Sequence, residues 1–112
     1  MSAGRAIELK IQNPYFNAVV DGKKKCEVRR EDVRTYNVGE VLVLRQWDEK
    51  RKRFTGKYAR VKITHILRDL AYVLPNHVVL SFDLLEVKDT LEQERQDACK
   101  ELLVTVTESA VA

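Results

Sequence analysis

The sequence is poor in the residues that build metal centres and cross-links. It has two cysteines and two histidines in 112 residues, and Cys26, Cys99, His65 and His77 form no CxxC or HxxxH spacing, which argues against a zinc site. Thiols so few and so far apart read as small free hydrophobes of a reducing compartment. No apolar run approaches the roughly 20 residues that span a bilayer, so no membrane segment is expected. The opening MSAGRAIELK lacks the apolar stretch of about 7 to 15 residues found in a signal peptide, and a cytoplasmic location is the expectation. Also missing are GxxxxGKS/T, GxGxxG and GxSxG, the backbone requirements of phosphate-loop, dinucleotide and serine-elbow chemistry. No metal and no cofactor are expected.

What is present suits one small core: 45% hydrophobic and 33% charged residues, with a net charge of +3. So mild a charge is compatible with nucleic acid or nucleotide partners without requiring them. Ala6 to Ile11 alternates apolar and polar, the period of a half-buried strand. In NPYFNAVVDG, Asn13 is placed to cap a helix with Pro14 at its first position and Gly22 as the left-handed stop. Tyr15, Phe16, Val19 and Val20 would form that helix's buried face.

Four more strands are expected: Lys24 to Arg30, Val41 to Trp47, Lys57 to Leu67 and His77 to Val87. EDVRTYNVGE reads as loop, and DEKRKRFTG as a basic hairpin loop. His65 shares the parity of Ala59, Val61, Ile63 and Leu67, so a core histidine is expected there rather than a catalytic base. Thr90 and Gln93 have capping-box spacing for a C-terminal helix reaching about Leu103. The expected fold is α+β: a small β-barrel of five to six strands with helices packed outside. Residues 1–88 would form it, and residues 89–112 a C-terminal helix and tail on the same domain.

Two basic runs invite a functional reading. The Glu49 to Arg53 run sits at a hairpin tip beside Trp47, Phe54 and Tyr58, where cations reach phosphates and rings stack on bases, although a solvated loop explains it equally well. DGKKKCEVRR is more specific, because Gly22, Lys24, Glu27 and Arg29 stand as GxKxxExR directly behind the helix. Together with ELKIQNPYFNAVVDGKKKCEVRR, YNVGEVLVLRQWD, FTGKYARVKITHIL and HVVLSFDL, this pattern resembles the ASCH domain family of the PUA-like superfamily, over about Ile7 to Val87.

The resemblance implies a barrel with a cleft lined by the motif's Lys, Glu and Arg, and an association with RNA or nucleosides. Some small members are amidohydrolases that cleave N4-acylcytidines to cytidine and a carboxylic acid, with a Lys at the position of Lys24. Glu27 stands where those enzymes have Thr, and RDLAYVLPN supplies no further Glu.

The expected roles are Glu27 activating water and a charged Lys24 stabilising the tetrahedral oxygen. Arg29 would orient Glu27 or contact the substrate, with Tyr15, Arg45 and Trp47 completing the binding site for a modified cytidine nucleoside or RNA. By strand alternation Cys26 and Val28 would enter the core while Glu27 and Arg29 face the cleft, and Lys24 joins Glu27 only if the chain bends after Gly22. The alternatives are a non-catalytic RNA-binding module, a purely structural ion-pair network worth about 0 to 1 kcal/mol per exposed pair, and a partner-binding role for the C-terminal helix.

Overall fold

Alternating apolar residues in five segments make five strands, and a computed structural model describes residues 6–32 and 34–90. The strands are β1 (Ala6–Gln12), β2 (Cys26–Arg30), β3 (Val41–Asp48), β4 (Arg53–Leu67) and β5 (His77–Asp89), with one helix, α1 (Tyr15–Val20), between the first two. They form a single sheet in the order β1-β3-β4-β5-β2, with β1 parallel to β3 and the other neighbours antiparallel. The sheet is mixed and strongly curled, a half-barrel. One six-residue helix among the described residues makes the molecule mostly β rather than α+β with several outer helices. The expected helix from Thr90 to Leu103 lies outside the described residues, except that the Thr90 hydroxyl donates to the Gly56 carbonyl at 2.9 Å.

The concave face holds the core. Leu42 and Leu44 of β3, Ala59, Val61 and Ile63 of β4, and Val78, Leu80 and Phe82 of β5 are buried there with Ile11, Phe16, Val19 and Tyr36. Burial of side chains of this size stabilises by about 1.5–3 kcal/mol each. Helix α1 packs against β1, β3, β4 and β5, inserting Phe16 and Val19. Tyr15, expected on that buried face, is 56% exposed because the helix turns Phe16 and Val19 inward. Asn13 does not cap the helix; its side-chain oxygen accepts from Gln46 Nε2 at 2.9 Å instead. Gly22 does supply the stop, at φ +77°, a conformation that L side chains rarely adopt.

Two irregularities in β4 redirect side chains. Opposite Gln46, the ladder jumps from Arg45 paired with Tyr58 to Trp47 paired with Phe54, and Thr55 donates to Gln46 Oε1 at 2.7 Å. Further along, Ile63 faces Phe82 while His65 faces Ser81, so Thr64 is an extra residue and the parity reverses. His65 is therefore exposed, not a core histidine, and Ile66 takes the inward position.

Candidate functional site

In the sheet order β1 and β2 are the two edges, and they do not pair with each other. The curl brings them together nonetheless, and side chains bridge the gap. The register of β2 on β5 sets Glu27 opposite Leu80 and Arg29 opposite Val78, both core residues, so the two charged side chains share the concave face. Cys26 and Val28 take the other face, and Val28 is 59% exposed. This corrects the expectation that they enter the core, and of the motif's three charged residues only Arg29 lines the neighbouring cleft.

Lys24 precedes the strand. Its backbone N–H and that of Lys23 both bond the Ala18 carbonyl, at 3.0 and 2.9 Å, wrapping the chain over the helix end. Being outside the pleat, Lys24 escapes the strict alternation and turns toward Glu27, as the bend after Gly22 requires. Lys24 Nζ lies 2.8 Å from Glu27 Oε1 and also donates to the Cys26 carbonyl. Arg29 Nε donates to Glu27 Oε2 at 3.0 Å, while Arg29 Nη2 donates across the seam to the Lys10 carbonyl of β1 at 2.8 Å. The Glu27 side chain is 9% exposed, and its two cations 23% and 24%. A carboxylate this buried is tolerable because both oxygens are matched by charged donors.

Beside this triad runs a cleft of about 570 Å³ between the two edge strands, lined by Leu9 and Lys10 on one side and Val28, Arg29 and Arg30 on the other, with Tyr36 at its wall. A pocket of that size suits a small organic ligand. Tyr36, 3% exposed, comes from the segment expected to be plain loop. Its backbone is anchored at both ends: its N–H donates to Glu31 Oε2 at 3.0 Å and its carbonyl accepts from Arg68 at 2.9 Å. Arg68 also grips both Glu31 oxygens at 2.8 Å.

Burial pushes the Tyr36 phenol above its ordinary pKa; Arg29 and Arg34 pull it down, and Glu31 and Glu27 add a smaller upward push. The Arg68 hydrogen bond holds the Glu31 carboxyl below its ordinary range against the opposing effect of burial. No periodicity could have marked Tyr36; its only signal was an aromatic ring inside a polar loop.

The structure thus brings together Lys24, Glu27 and Arg29 of the expected site residues and places the other three elsewhere. Tyr15 sits on the outer side of α1. Arg45 Nη1 is 3.9 Å from Glu8 Oε1 on the outer surface of β1 and β3, with its guanidinium 4.0 Å from the Phe54 ring centre. Trp47 is also engaged there: Lys10 Nζ lies 4.5 Å over its ring, Phe54 meets it edge-on at 5.0 Å, and its Nε1 donates to Glu49 at 2.9 Å.

A polar cluster at that end had a readable signal. Gln46 shares the inward parity of Leu42 and Leu44, is 6% exposed, and is satisfied by Asn13 and Thr55. The hairpin tip pairs two of its four cations, with Lys52 on Glu49 and Arg51 Nε 3.8 Å from Asp48 Oδ2. No group of three or more potential metal ligands occurs among the described residues.

Residues 7–82 match a family model described as "Domain of unknown function (DUF3850)". Over 80 residues the chain is 36% identical to a protein of Escherichia phage P2 described as "Uncharacterized 12.9 kDa protein in GpA 3'region", covering 71% of this chain and 70% of that protein. The family match runs from β1 into β5, so it takes in the triad, the Tyr36 loop and both walls of the seam.

Proposed function

The chain belongs to the DUF3850 family, and we propose that its seam cleft binds the base of a cytidine nucleoside and that Lys24 and Glu27 hydrolyse an N4-acyl group from it. The observation that carries the reading is the placement of Glu27: 9% exposed, between two cations, on the concave face where two strand edges fail to pair. Support also comes from the likeness of GxKxxExR to the ASCH pattern of the PUA-like superfamily, in which this cleft serves nucleosides or RNA.

The chemistry follows from the contacts. Arg29 separates the cleft from Glu27, and an entering base exchanges the Arg29 contact for its own exocyclic nitrogen and carbonyl groups. Glu27 then takes a proton from water as the oxygen attacks the acyl carbon, and Lys24 stabilises the oxyanion that forms. Collapse of the tetrahedral intermediate breaks the carbon–nitrogen bond, with the proton passing from Glu27 to the departing N4 amine. General base catalysis and one oxyanion donor supply about 10² to 10⁴ and 10² to 10³ in rate respectively.

Incubation with N4-acetylcytidine, with cytidine and acetate followed by chromatography, tests this. Wild-type protein is expected to release both, and Lys24→Ala and Glu27→Gln to lower the rate by about a hundredfold or more. Absence of product at high protein concentration, or product unaffected by either substitution, overturns it. The RNA-module reading through the Glu49 to Arg53 tip is less well supported, because two of its four cations are already paired with Asp48 and Glu49 and the Trp47 face is covered by Lys10.

A further inference from the structure

The wall of the seam cleft carries more positive charge than a neutral nucleoside needs. Lys10, Arg29, Arg30 and Arg34 line it against Glu8 and Asp32. Lys10 turns its ammonium onto the Trp47 ring on the outer surface, and the partners of the others can be assigned one by one. Arg29 is committed to Glu27 and to the Lys10 carbonyl. Arg30 reaches Asp32 at 2.6 Å, in a solvent-exposed pair. Glu8 is drawn to Arg45 on the outer surface. Arg34 has no carboxylate within ion-pair distance among the described residues, although its charge acts on the Tyr36 phenol.

His77 adds a polar edge. Its Nδ1 lies 2.8 Å from the Pro75 carbonyl, which can only accept, so Nδ1 carries a hydrogen and Nε2 of the neutral ring is left to accept from a ligand hydroxyl. A guanidinium fork without a carboxylate, beside a second Arg in an exposed pair, has the donors that a phosphate group takes up.

We infer that the cleft has a phosphate subsite formed by Arg34 and Arg30 with His77 at its edge, so that its ligand is a phosphorylated nucleoside rather than the free one. The inference rests on the proposed base site in naming the ligand, while the subsite stands on its own charges. Of the arginines lining the cleft only Arg29 bonds Glu27, so the phosphate binds apart from the reacting amide. The phosphate belongs either to a mononucleotide, as a monoester, or to a polynucleotide backbone, as a diester, and both present non-bridging oxygens to Arg34.

Calorimetric titration at low salt compares cytidine, cytidine 5′-monophosphate, ribose 5-phosphate and a short cytidine oligoribonucleotide on wild-type protein and on Arg34→Ala and Arg30→Ala. The monophosphate is expected to bind about tenfold or more tightly than cytidine, and Arg34→Ala to reduce that ratio to about twofold. An oligoribonucleotide tighter still than the monophosphate identifies a polymer as the source, and equal affinity identifies the mononucleotide. Equal binding of cytidine and its monophosphate, or a ratio untouched in both variants, overturns the subsite. If cytidine does not bind but ribose 5-phosphate binds in an Arg34-dependent way, the base site fails and the phosphate subsite stands; if neither binds, both fail.

Discussion

Two basic stretches of this chain have nearly the same composition and opposite fates. Lys24 to Arg30 runs along a seam strand whose concave face buries Glu27 and half-buries its two cations. Glu49 to Arg53 caps a hairpin, where Asp48 Oδ1 accepts from the Lys50 and Arg51 backbone N–H groups and where Lys52 and Glu49 pair in the open. Position in the sheet decides the difference. A strand that pairs on one edge only, facing another such edge, has core neighbours on one side of its inward face and an unpaired seam on the other, and charges can settle there if they satisfy one another. A tip projecting from the end of the sheet solvates whatever it carries, and its ion pairs contribute little.

Removing the carboxylate from each stretch tests that contrast most severely. Glu27→Ala leaves Lys24 and Arg29 facing each other without an anion and is expected to destabilise by about 3 kcal/mol in urea unfolding. Glu49→Ala at the tip is expected to leave the urea midpoint essentially unchanged. Similar losses from both would erase the distinction. Arg29→Met should fall between them, about 1.5 to 3 kcal/mol, because it removes a charge-assisted bond to Glu27 and the bridge to β1.

A third contrast lies in pH. Arg68 holds the Glu31 carboxyl below its usual value of 4.5. The unfolded chain therefore takes up the proton first as pH falls. The stability contributed by Glu31 is full above 4.5 and is lost as pH drops through the lower folded value. Glu31→Gln should flatten the acid limb of the stability profile, and an unchanged limb would remove this latch from the account. The smallest effect is expected from replacing Lys50, Arg51, Lys52 and Arg53 with Ser: about 0.5 kcal/mol or less in stability, and no loss of N4-acetylcytidine turnover.

Much of this was legible before the fold was seen. Period-two alternation located all five strands, since one face of each central strand must enter a shared core, although β4 begins at Arg53 inside the stretch that reads as hairpin loop, and Gly22 marked the end of α1. The pairing of Lys24 with Glu27 is readable only on the condition that the chain bends after Gly22, as it does. What escaped depended on register. A single extra residue at Thr64 moved His65 from the core to the surface, and only the partner strand reveals it. Val28 reads as core by type, yet its parity is set by Leu80 facing Glu27. Trp47 and Arg45 read as site residues because they are aromatic and cationic near a tip, but their distance from Glu27 depends on which edges the curl brings together. Tyr36 reached the cleft through a loop held by Glu31 and Arg68, two residues far apart in sequence.

The most direct test is a crystal structure of the protein with cytidine bound. The ligand is expected in the seam between β1 and β2, with its base against Tyr36 and within hydrogen-bond distance of Arg29 or Glu27, and with the Arg29 bridge to Lys10 exchanged for the ligand. Cytidine bound at the Trp47 end, or anywhere that leaves the Lys24, Glu27 and Arg29 contacts as they are, would contradict the account.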